Sequence, residues 1–304
     1  MCRYTSHVDK FQGLLKMNLR KPLLILFISV SVCLLAGCKL VSPTENIPSY
    51  IHIDKINLNT TTGQGSNSNK ITDAWVYVDD QLVGAFELPA TFPVLSSGTH
   101  NVTIKAGIKV NGIAATRAIY PFYSTYSAKL KLVPDSIITI HPTITYNSYT
   151  VFSWMEDFEG GGISLEKTIY SDTSIDKTSD PTKVFEGTYS GIVHLDAAHD
   201  FFQCETIDAF TLPTGDSPVF LEMNYKTTEV VKVGLVANTL AGVQKMDVLF
   251  LNKTDTWNKI YINLNTAVNT TPYVTNFQVF LDVQKSTDAT SAELLFDDFK
   301  LVHN

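Results

Sequence analysis

Side chains that commonly perform catalysis are present in this chain, but their spacing does not form a known catalytic motif. The densest group is the segment His194–Asp200, which holds two histidines and two aspartates. The sequence contains no H-E-x-x-H zinc motif, no G-x-S-x-G nucleophile elbow and no glycine-rich phosphate loop. A pair of catalytic carboxylates can still converge from distant positions. We predict that the protein is not an enzyme and that residues 194–200 form a loop at the end of a strand.

The surroundings of Cys38 predict a specific covalent modification. Arg20 and Lys21 precede an apolar run of 15 residues, Pro22–Ala36, and a small residue separates that run from the cysteine. This is the order of an export signal, and the run is shorter than the ~20 residues that a membrane-spanning helix needs. The tetrapeptide at 35–38 resembles the lipobox of bacterial lipoproteins. That resemblance implies cleavage before Cys38, acylation of the cysteine and attachment of the mature protein to a membrane through it.

The lipoprotein resemblance also sets expectations for processing and location. Residues 1–37 are predicted to be a signal peptide, with Met17 as the true start, and residues 38–49 a lipidated tether. Several acyl chains on one cysteine give stable attachment, whereas a single chain binds reversibly. The chain is similar to lipoproteins of the Bacteroidota, which implies an outer-membrane protein that faces either the periplasm or the cell surface. No dense acidic run of the surface-export type follows Cys38, and this favours the periplasmic side.

The charge balance argues against nucleic acid as a partner. The chain holds 23 basic and 30 acidic residues, and removal of residues 1–37 takes away five basic residues and one acidic residue. The mature protein is therefore acidic, without the basic cluster that binding to nucleic acid or anionic lipid requires. Besides the lipidated cysteine only Cys204 remains, so no intramolecular disulfide is expected and stability must come from burial.

The hydrophobic pattern after the export signal is that of β-strands. Short runs such as Tyr50–Ile56 alternate between apolar and polar residues, and turn-forming residues separate them. No segment longer than ten residues keeps a helical periodicity, while a composition change and the glycines at 160–162 indicate a domain boundary. We predict an all-β protein with two domains, a small β-sandwich at 50–142 and a jelly-roll sandwich at 154–304. Residues 143–153 are predicted to link them.

The first domain, from about Asp73 to Ile140, resembles the PEGA-type modules of bacterial surface proteins. The resemblance lies in Val76–Gly84, Pro89, Leu95–Ile104 and Gly107. The chain departs from the pattern at Asp80, where PEGA modules usually have glycine, and in an insertion-like segment at 111–123. The resemblance implies a small immunoglobulin-like sandwich that acts as an extracytoplasmic spacer or binding platform and has no chemistry of its own.

The second domain resembles the jelly rolls of carbohydrate-binding modules and galactose-binding-like domains. Four motifs occur in the corresponding order, namely Asp157–Glu159, Glu186–Gly191, Thr256–Ile260 and Leu295–Leu301. The strand-like runs after residue 190 have the number and spacing of a jelly roll. The resemblance implies a β jelly roll that binds a ligand rather than one that performs a reaction.

The same resemblance implies a structural calcium ion that joins the first strand of the jelly roll to the last. Its ligands would be Glu156 or Glu159, oxygens of residues 186–190, and Asp297 or Asp298. Calcium takes six to eight oxygen ligands, which carboxylates and loop carbonyls together can supply. Alternation along the last strand makes Asp297 the more buried of the final pair, and a buried carboxylate needs a partner. The alternative is that these are solvated carboxylates, in which case the protein requires no cofactor.

Sugar binding by a jelly roll uses exposed aromatic rings. Ring faces stack on the apolar faces of sugars, while a few polar groups fix the orientation of the ligand. In the second domain the candidates for such a ligand-binding role are Tyr225, Phe201 and Phe202. The alternative for each ring is packing in the core, since the chain holds 17 Phe and 13 Tyr residues.

Three functions are compatible with these patterns. The leading hypothesis is a non-enzymatic, lipid-anchored envelope protein with a binding or structural role. A second is a lipoprotein that captures glycan for a polysaccharide uptake system, which exposed aromatics on the second domain would favour. A third is an accessory subunit of an envelope secretion or motility complex, which a large exposed apolar patch would favour. The expected partners are the membrane, through Cys38, and either a glycan or an envelope protein.

Overall fold

The computed structural model describes Phe27, Ser29 and residues 46–304. The predicted cleavage site and Cys38 lie outside the described residues. Within the described residues, no helix is both long and apolar enough to cross a membrane. The chain from Pro48 to Asn304 forms one compact unit, and nearly all of its regular structure is β-strand. The all-β prediction is therefore confirmed.

Ten strands form the N-terminal half of this unit. They are β1 (Ser49–Ile53), β2 (Asn57–Asn59), β3 (Asp73–Val78), β4 (Gln81–Glu87), β5 (Ala90–Val94), β6 (Gly98–Lys109), β7 (Arg117–Ile119), β8 (Tyr126–Leu132), β9 (Ile137–Ile140) and β10 (Thr143–Thr145). Burial alternates along them because successive side chains point to opposite faces of a strand. In β3, for example, Ala74, Val76 and Val78 are buried while Trp75 and Tyr77 are partly exposed.

These strands form the small sandwich that the sequence predicts. Strand β1 lies between β5 and β9, and a larger sheet has the order β4–β3–β6–β7, with β8 also paired to β6. Strands β2 and β10 pair in parallel as a separate two-stranded ladder. The buried faces meet in a core that includes Ile51, Val76, Phe92 and Ile104.

Eleven strands and one short helix form the C-terminal half. They are β11 (Val151–Glu156), β12 (Leu165–Lys167), β13 (Asp176–Thr178), β14 (Ser190–Leu195), β15 (Phe201–Thr206), β16 (Val219–Thr227), β17 (Val231–Thr239), β18 (Gly242–Leu251), β19 (Asn258–Asn263), α1 (Asn265–Thr270), β20 (Val274–Gln284) and β21 (Ala292–His303). One sheet has the order β13–β14–β21–β16–β19, with β11 paired to β21, and the other has the order β12–β15–β20–β17–β18. Their inner faces enclose a large apolar core, as the predicted second sandwich requires.

The two halves share buried surface. Phe220, Tyr261 and Val302 lie on the outer face of the six-stranded sheet, and all three pack into the core of the N-terminal sandwich. The outer face of the five-stranded sheet instead carries polar and partly exposed side chains. This face is the open sheet surface of the jelly roll.

The segment at 143–153 carries a strand at each end. Strand β10 pairs with β2 of the first half, and β11 pairs with β21 of the second. Between them the Asn147 side chain donates hydrogen bonds to the carbonyl oxygens of Pro121 at 3.0 Å and Tyr123 at 3.1 Å. The segment predicted as a linker is therefore held by hydrogen bonds to the sandwich that precedes it.

Candidate functional site

The outer face of the five-stranded sheet presents rows of polar side chains. Strand register sets these rows, because directly paired residues point to the same face. One row runs Gln203, Asp282, Lys232 and Phe250 across β15, β20, β17 and β18. The next runs Glu166, Glu205, Phe280, Gly234 and Asp247. We define these nine residues, together with Phe201, Lys245, Asn238 and Gln278, as the polar face.

Asp282 is the hub of the first row. Its carboxylate accepts a hydrogen bond from the Gln203 side chain at 3.0 Å and from Lys245 Nζ at 3.3 Å. Lys232 Nζ lies 3.8 Å from Asp282 and 3.5 Å from Asp247. These contacts fix the positions of two ammonium groups and one amide, so the polar groups at the centre of the face are ordered before any ligand arrives.

Phe280 lies on the polar face in the row next to Asp282. A Cβ at Gly234 would stand 2.4 Å from Phe280 Cε1, so only glycine at 234 leaves room for the ring. Lys245 Nζ covers the other side, 4.0 Å from the ring centroid, which is the geometry of a cation–π contact. The ring is fully buried as a result. It therefore orients Lys245 and offers no free surface for stacking.

A second group of amides lies along the same face. The Asn238 side chain donates to Asn276 Oδ1 at 2.7 Å and to Gln278 Oε1 at 3.3 Å. Gln278 donates in turn to the carbonyl oxygen of Thr206 at 2.6 Å. Amide groups of this kind both donate and accept hydrogen bonds, as hydroxyl groups of a sugar require.

Two aromatic rings lie at the margins of the polar face. Phe250, in edge strand β18, is 57 % exposed, whereas Phe201, at the start of β15, is half-buried. Partial burial raises the pKa of nearby Glu205, repulsion from Glu166 adds to that rise, and the ammonium of Lys245 opposes it. The face thus combines an exposed ring with ordered amide, carboxylate and ammonium groups.

The structure places the three predicted aromatic residues in different environments. Phe201 lies on the polar face, but Phe202 and Tyr225 are buried in the core of the jelly roll. Phe202 is the neighbour of Phe201 on a β-strand, so its ring must point inward. Tyr225 occupies the inner face of β16, and its hydroxyl accepts a hydrogen bond from Asn258 at 2.9 Å. The expectation of exposed rings at Phe202 and Tyr225 is therefore wrong, but Tyr225 lines a cleft next to Asn258, and its part in ligand binding stays a prediction.

Sequence reasoning missed Phe250 and the polar residues of the face. The pattern that could have found them is the polar residue at every second position of otherwise apolar strands, seen at Lys232 in β17 and at Gln278 and Asp282 in β20. Alternation indicates only that such positions lie on the solvent side of a sandwich. Their grouping depends on the strand order, which alternation alone does not give.

The carboxylates predicted to bind calcium each have protein donors. Glu156 accepts hydrogen bonds from the amides of Phe158 and Ser164 and from the Ser164 hydroxyl, at 2.6 to 2.8 Å. Glu159 accepts from the amides of Thr188 and Tyr189 at 2.7 and 2.8 Å. Glu159 therefore ties the segment after β11 to the loop before β14, whereas calcium was expected to join the first strand of the jelly roll to the last.

Asp297 and Asp298 both lie on the side of β21 that faces away from the jelly-roll core, because an irregularity in the strand lets Phe296 and Phe299 on either side of them both enter that core. Asp297 accepts a hydrogen bond from the Ser190 hydroxyl at 2.5 Å, and Asp298 from the Asn224 side chain at 2.8 Å. Burial raises the pKa of Asp297 to about 8 and that of Asp298 to about 6. Among the described residues, no group of three or more His, Cys, Asp or Glu side chains could hold a metal ion. Calcium binding at these residues stays a prediction.

The histidine-rich segment is a tight connection between two strands. Strand β14 ends at Leu195 and β15 begins at Phe201, which confirms the predicted loop. Asp196 accepts hydrogen bonds from the amides of Ala198 and His199 at 2.8 and 2.9 Å. These bonds lower the pKa of Asp196 and stabilise the turn. Its polar side chains therefore serve the local backbone.

Comparison with known proteins gives similarity only at the level of solved structures. One solved structure, from work on the promiscuous specificity of carbohydrate-binding modules of the β-sandwich superfamily, has 15 % identity over 75 % of this chain and 84 % of that one, with a TM-score of 0.37. A xylan-binding domain of carbohydrate-binding module family 22 has 12 % identity over 50 % and 93 % of the two chains, with a TM-score of 0.36. A variant of a family 29 carbohydrate-binding module in complex with cellulohexaose has 11 % identity over 51 % and 93 % of the two chains, with a TM-score of 0.33. Similarity at this level assigns no ligand and no residue role.

No family model matches the sequence, and no curated protein matches it.

Proposed function

We propose that this protein binds polysaccharide on the polar face, as a non-enzymatic, lipid-anchored component of the bacterial envelope. The observation that carries the proposal is the ordered row from Gln203 through Asp282 and Lys232 to the exposed ring of Phe250. Amide, carboxylate and ammonium groups lie across four of the five strands of one sheet, on a surface that the N-terminal half does not cover.

The chemistry of this row suits a sugar chain. A pyranose ring presents hydroxyl groups around its rim and an apolar surface on its faces, so its recognition needs both hydrogen-bonding groups and a ring for stacking. The Asp282 hub supplies the first and Phe250 the second. Because the contacts of Asp282 already fix Gln203 and Lys245, little side-chain entropy would be lost on binding. Flat, open faces of this kind accommodate an extended chain better than a small molecule.

The lipid anchor at Cys38 is part of the proposal and has its own test. Cys38→Ser should abolish incorporation of labelled palmitate and release the protein from the membrane fraction, because both acyl attachments start at this cysteine. A matched substitution of Cys33, which lies inside the predicted signal, should leave labelling intact. Labelling that survives Cys38→Ser would contradict lipidation at this position.

Binding itself is tested by affinity electrophoresis and calorimetry on residues 46–304 against a panel of soluble plant, bacterial and host polysaccharides. Phe250→Ala and Asp282→Asn should each weaken binding of whichever polysaccharide is retained by tenfold or more, which corresponds to about 1.4 kcal/mol. The matched control is Tyr149→Ala. Tyr149 is also 57 % exposed, but it lies in the segment between β10 and β11, outside the polar face.

The Tyr149→Ala control distinguishes a binding site on the polar face from a general loss of affinity for polysaccharide. Equal binding by Tyr149→Ala and weak binding by the two polar-face variants would support the proposal. Binding that all three variants retain would place the ligand elsewhere. No binding to any polysaccharide would overturn the proposal and favour the structural role or the accessory role in an envelope complex.

A further inference from the structure

A cleft opens beside the polar face, where the jelly roll meets the N-terminal sandwich. Its volume is about 250 Å³. Phe250, Leu251 and Asn258 line one side, and Lys70 and Lys109 belong to the N-terminal half. Phe250 is therefore a residue of both the cleft and the polar face, so a ligand that stacks on its exposed ring would lie at the mouth of the cleft. We call this the lysine cleft.

The lysine cleft differs in charge from the rest of the molecule. Three lysines line it, namely Lys70, Lys109 and Lys259, and no Asp or Glu is among its lining residues. The chain as a whole has a formal net charge of −7. A cleft without carboxylates on an acidic protein favours an anion, because the local potential is set by the nearest charges.

The three lysines are not equivalent. Lys259 is buried and lies 3.3 Å from the Glu222 carboxylate, so its charge is largely compensated. Lys109 Nζ lies 3.1 Å from Glu87, which also pairs with Arg117. Lys70 donates a hydrogen bond to the neutral side-chain oxygen of Asn258, and it forms no ion pair with any carboxylate in the described part of the chain.

Lys70 is thus an ammonium group that lacks a counter-charge. The residue is exposed, so a ligand can reach it. Partial burial of the ammonium lowers the pKa of Lys70, and repulsion from Lys109 lowers it further. An anion between the two lysines would remove that repulsion. The remaining lining groups include the side chains of Asn111, Asn252 and Thr254, which can donate hydrogen bonds to an anionic oxygen.

The polar face imposes the opposite preference. It carries the four carboxylates of Glu166, Glu205, Asp247 and Asp282 against the two ammonium groups of Lys232 and Lys245. A chain with an anionic group on every sugar would be repelled along this face. A single anionic group on a mostly neutral chain would avoid the repulsion and gain the attraction of the cleft.

From this arrangement we propose that the lysine cleft binds a carboxylate or sulfate substituent of a polysaccharide whose backbone is mostly neutral. The inference rests on the proposed function and narrows its ligand class. Phe250 and the polar face hold the neutral backbone, and Lys70 and Lys109 bind the anionic substituent beside it.

The test uses branched polysaccharides with isolated uronic acids, such as glucuronoxylan, xanthan and gum arabic, each next to its own carboxyl-reduced form. The two forms share a backbone and differ in charge alone. Wild-type residues 46–304 should bind at least one native polymer about fivefold or more tightly than its reduced form, and added salt should shrink that ratio. Alginate, with a carboxylate on every sugar, should bind more weakly. Sulfated and uronic-acid side chains compared on the same backbone distinguish the two substituents.

Two variants locate the effect. Lys70→Gln and Lys109→Gln should remove the preference for the native polymer and leave affinity for the reduced polymer unchanged. The control is Lys129→Gln, on the exposed side of β8 in the N-terminal sandwich. Binding of neutral and native polymers with equal affinity, dependent on Phe250, would overturn this inference and keep the proposed function. If the wild-type protein binds no polysaccharide, both this inference and the proposed function are overturned. A preference for the native polymer that persists in both lysine variants would overturn the cleft assignment alone.

Discussion

Both carboxylate oxygens of Glu222 accept a hydrogen bond from the hydroxyl group of Tyr146, at 2.9 and 3.0 Å. Glu222 lies on the outer face of β16 in the jelly roll, and Tyr146 follows β10 of the N-terminal sandwich. Glu222 is fully inaccessible to solvent. A buried carboxylate is costly unless it is paired and hydrogen-bonded, so this contact requires both halves of the unit to be in place.

Tyr120 and Lys259 also contact the Glu222 carboxylate. The Tyr120 hydroxyl donates to Glu222 Oε1 at 2.7 Å, and Lys259 Nζ lies 3.3 Å from Oε2. Next to this pair, the hydroxyl groups of Tyr123 and Tyr261 are hydrogen-bonded to each other at 3.0 Å. The junction between the two sandwiches therefore has a polar centre inside an aromatic shell, and it would not form if either half moved away.

We first predict that Glu222→Gln destabilises the whole unit by about 3–5 kcal/mol. The substitution keeps the side-chain volume but removes the carboxylate charge that lies 3.3 Å from the buried Lys259 ammonium. Urea denaturation of residues 46–304 measures the loss. Tyr146→Phe, which removes one hydroxyl donor, should cost less, about 1–2 kcal/mol. Glu166→Gln, on the exposed polar face, is the control and should change stability by less than about 0.5 kcal/mol. A neutral effect of Glu222→Gln would show that the carboxylate is not needed at the junction.

The second prediction concerns alkaline pH. Burial raises the pKa of Tyr120, Tyr123, Tyr146 and Tyr261 well above the ordinary value of 10.0, and the charge of Glu222 adds to the rise. A group with a raised folded pKa contributes stability that is complete below its unfolded pKa and is lost as pH rises above it. Each tyrosine should lower the free energy of unfolding by about 1.4 kcal/mol per pH unit above pH ~10.

Tyrosinate absorbance during an alkaline titration checks this. The four buried rings should ionise only together with the loss of β-sheet circular dichroism, because they reach solvent only when the unit unfolds. Tyr123→Phe should shift the unfolding transition to higher pH, because one ionising group is removed from the unfolded state. Ionisation of all tyrosines in one step while the sheet signal persists would contradict the buried cluster.

Alternation and turn residues in the sequence predict the two sandwiches well. The strand within Tyr50–Ile56, for example, is predictable because its apolar residues have the period of a sheet. The junction was not expected, because nothing in the spacing of Glu222, Tyr120 and Tyr146 shows that they meet over 76 to 102 residues of chain. Strand order decides such contacts, and a local pattern does not contain it.

The candidate site, like the fold, was only partly predictable from the sequence. Phe201 was predicted to face a ligand and lies on the polar face, while its neighbour Phe202 points into the core. Two adjacent residues of a regular strand cannot both face outward, so alternation alone excludes one of these two rings from the ligand-binding surface. Lys70 and Phe250 are 180 positions apart along the chain and line one cleft. Only the packing of the two halves brings them together.

The third prediction is that Cys204 does not react while the protein is folded. Its side chain is fully buried in the jelly-roll core, and burial raises the pKa of the thiol to about 12. The thiolate is the reactive species, so both its population and its access are low. A thiol reagent added to residues 46–304 at pH 8 should label the cysteine only after denaturant is added. The rate should follow the unfolding equilibrium and increase in Glu222→Gln. Fast labelling of the native protein would contradict the buried position.

The last prediction concerns Asp297, whose pKa burial raises from 3.8 to about 8. Because the folded pKa is the higher one, the native state prefers the protonated form. The stability from this preference is complete below pH ~4 and is lost as pH rises toward 8, by about 1.4 kcal/mol per pH unit. Asp297→Asn imitates the protonated acid and should flatten the decline in the free energy of unfolding between pH 4 and 8. Asp255→Asn, at an exposed loop position, is the control.

The Asp297→Asn substitution also tests whether Asp297 binds calcium. If Asp297 binds no metal, as its contacts with Ser190 and the Asp298 amide indicate, then millimolar calcium or a chelator should leave the urea midpoint at pH 8 unchanged. A cation bound to the native state alone would instead raise stability in proportion to the logarithm of its concentration. It would also ionise Asp297 and so remove the decline toward pH 8. A calcium-dependent midpoint in the wild type that disappears in Asp297→Asn would therefore establish a metal site at this carboxylate. A midpoint independent of calcium, with the pH decline intact, would leave Ser190 and the Asp298 amide as its partners.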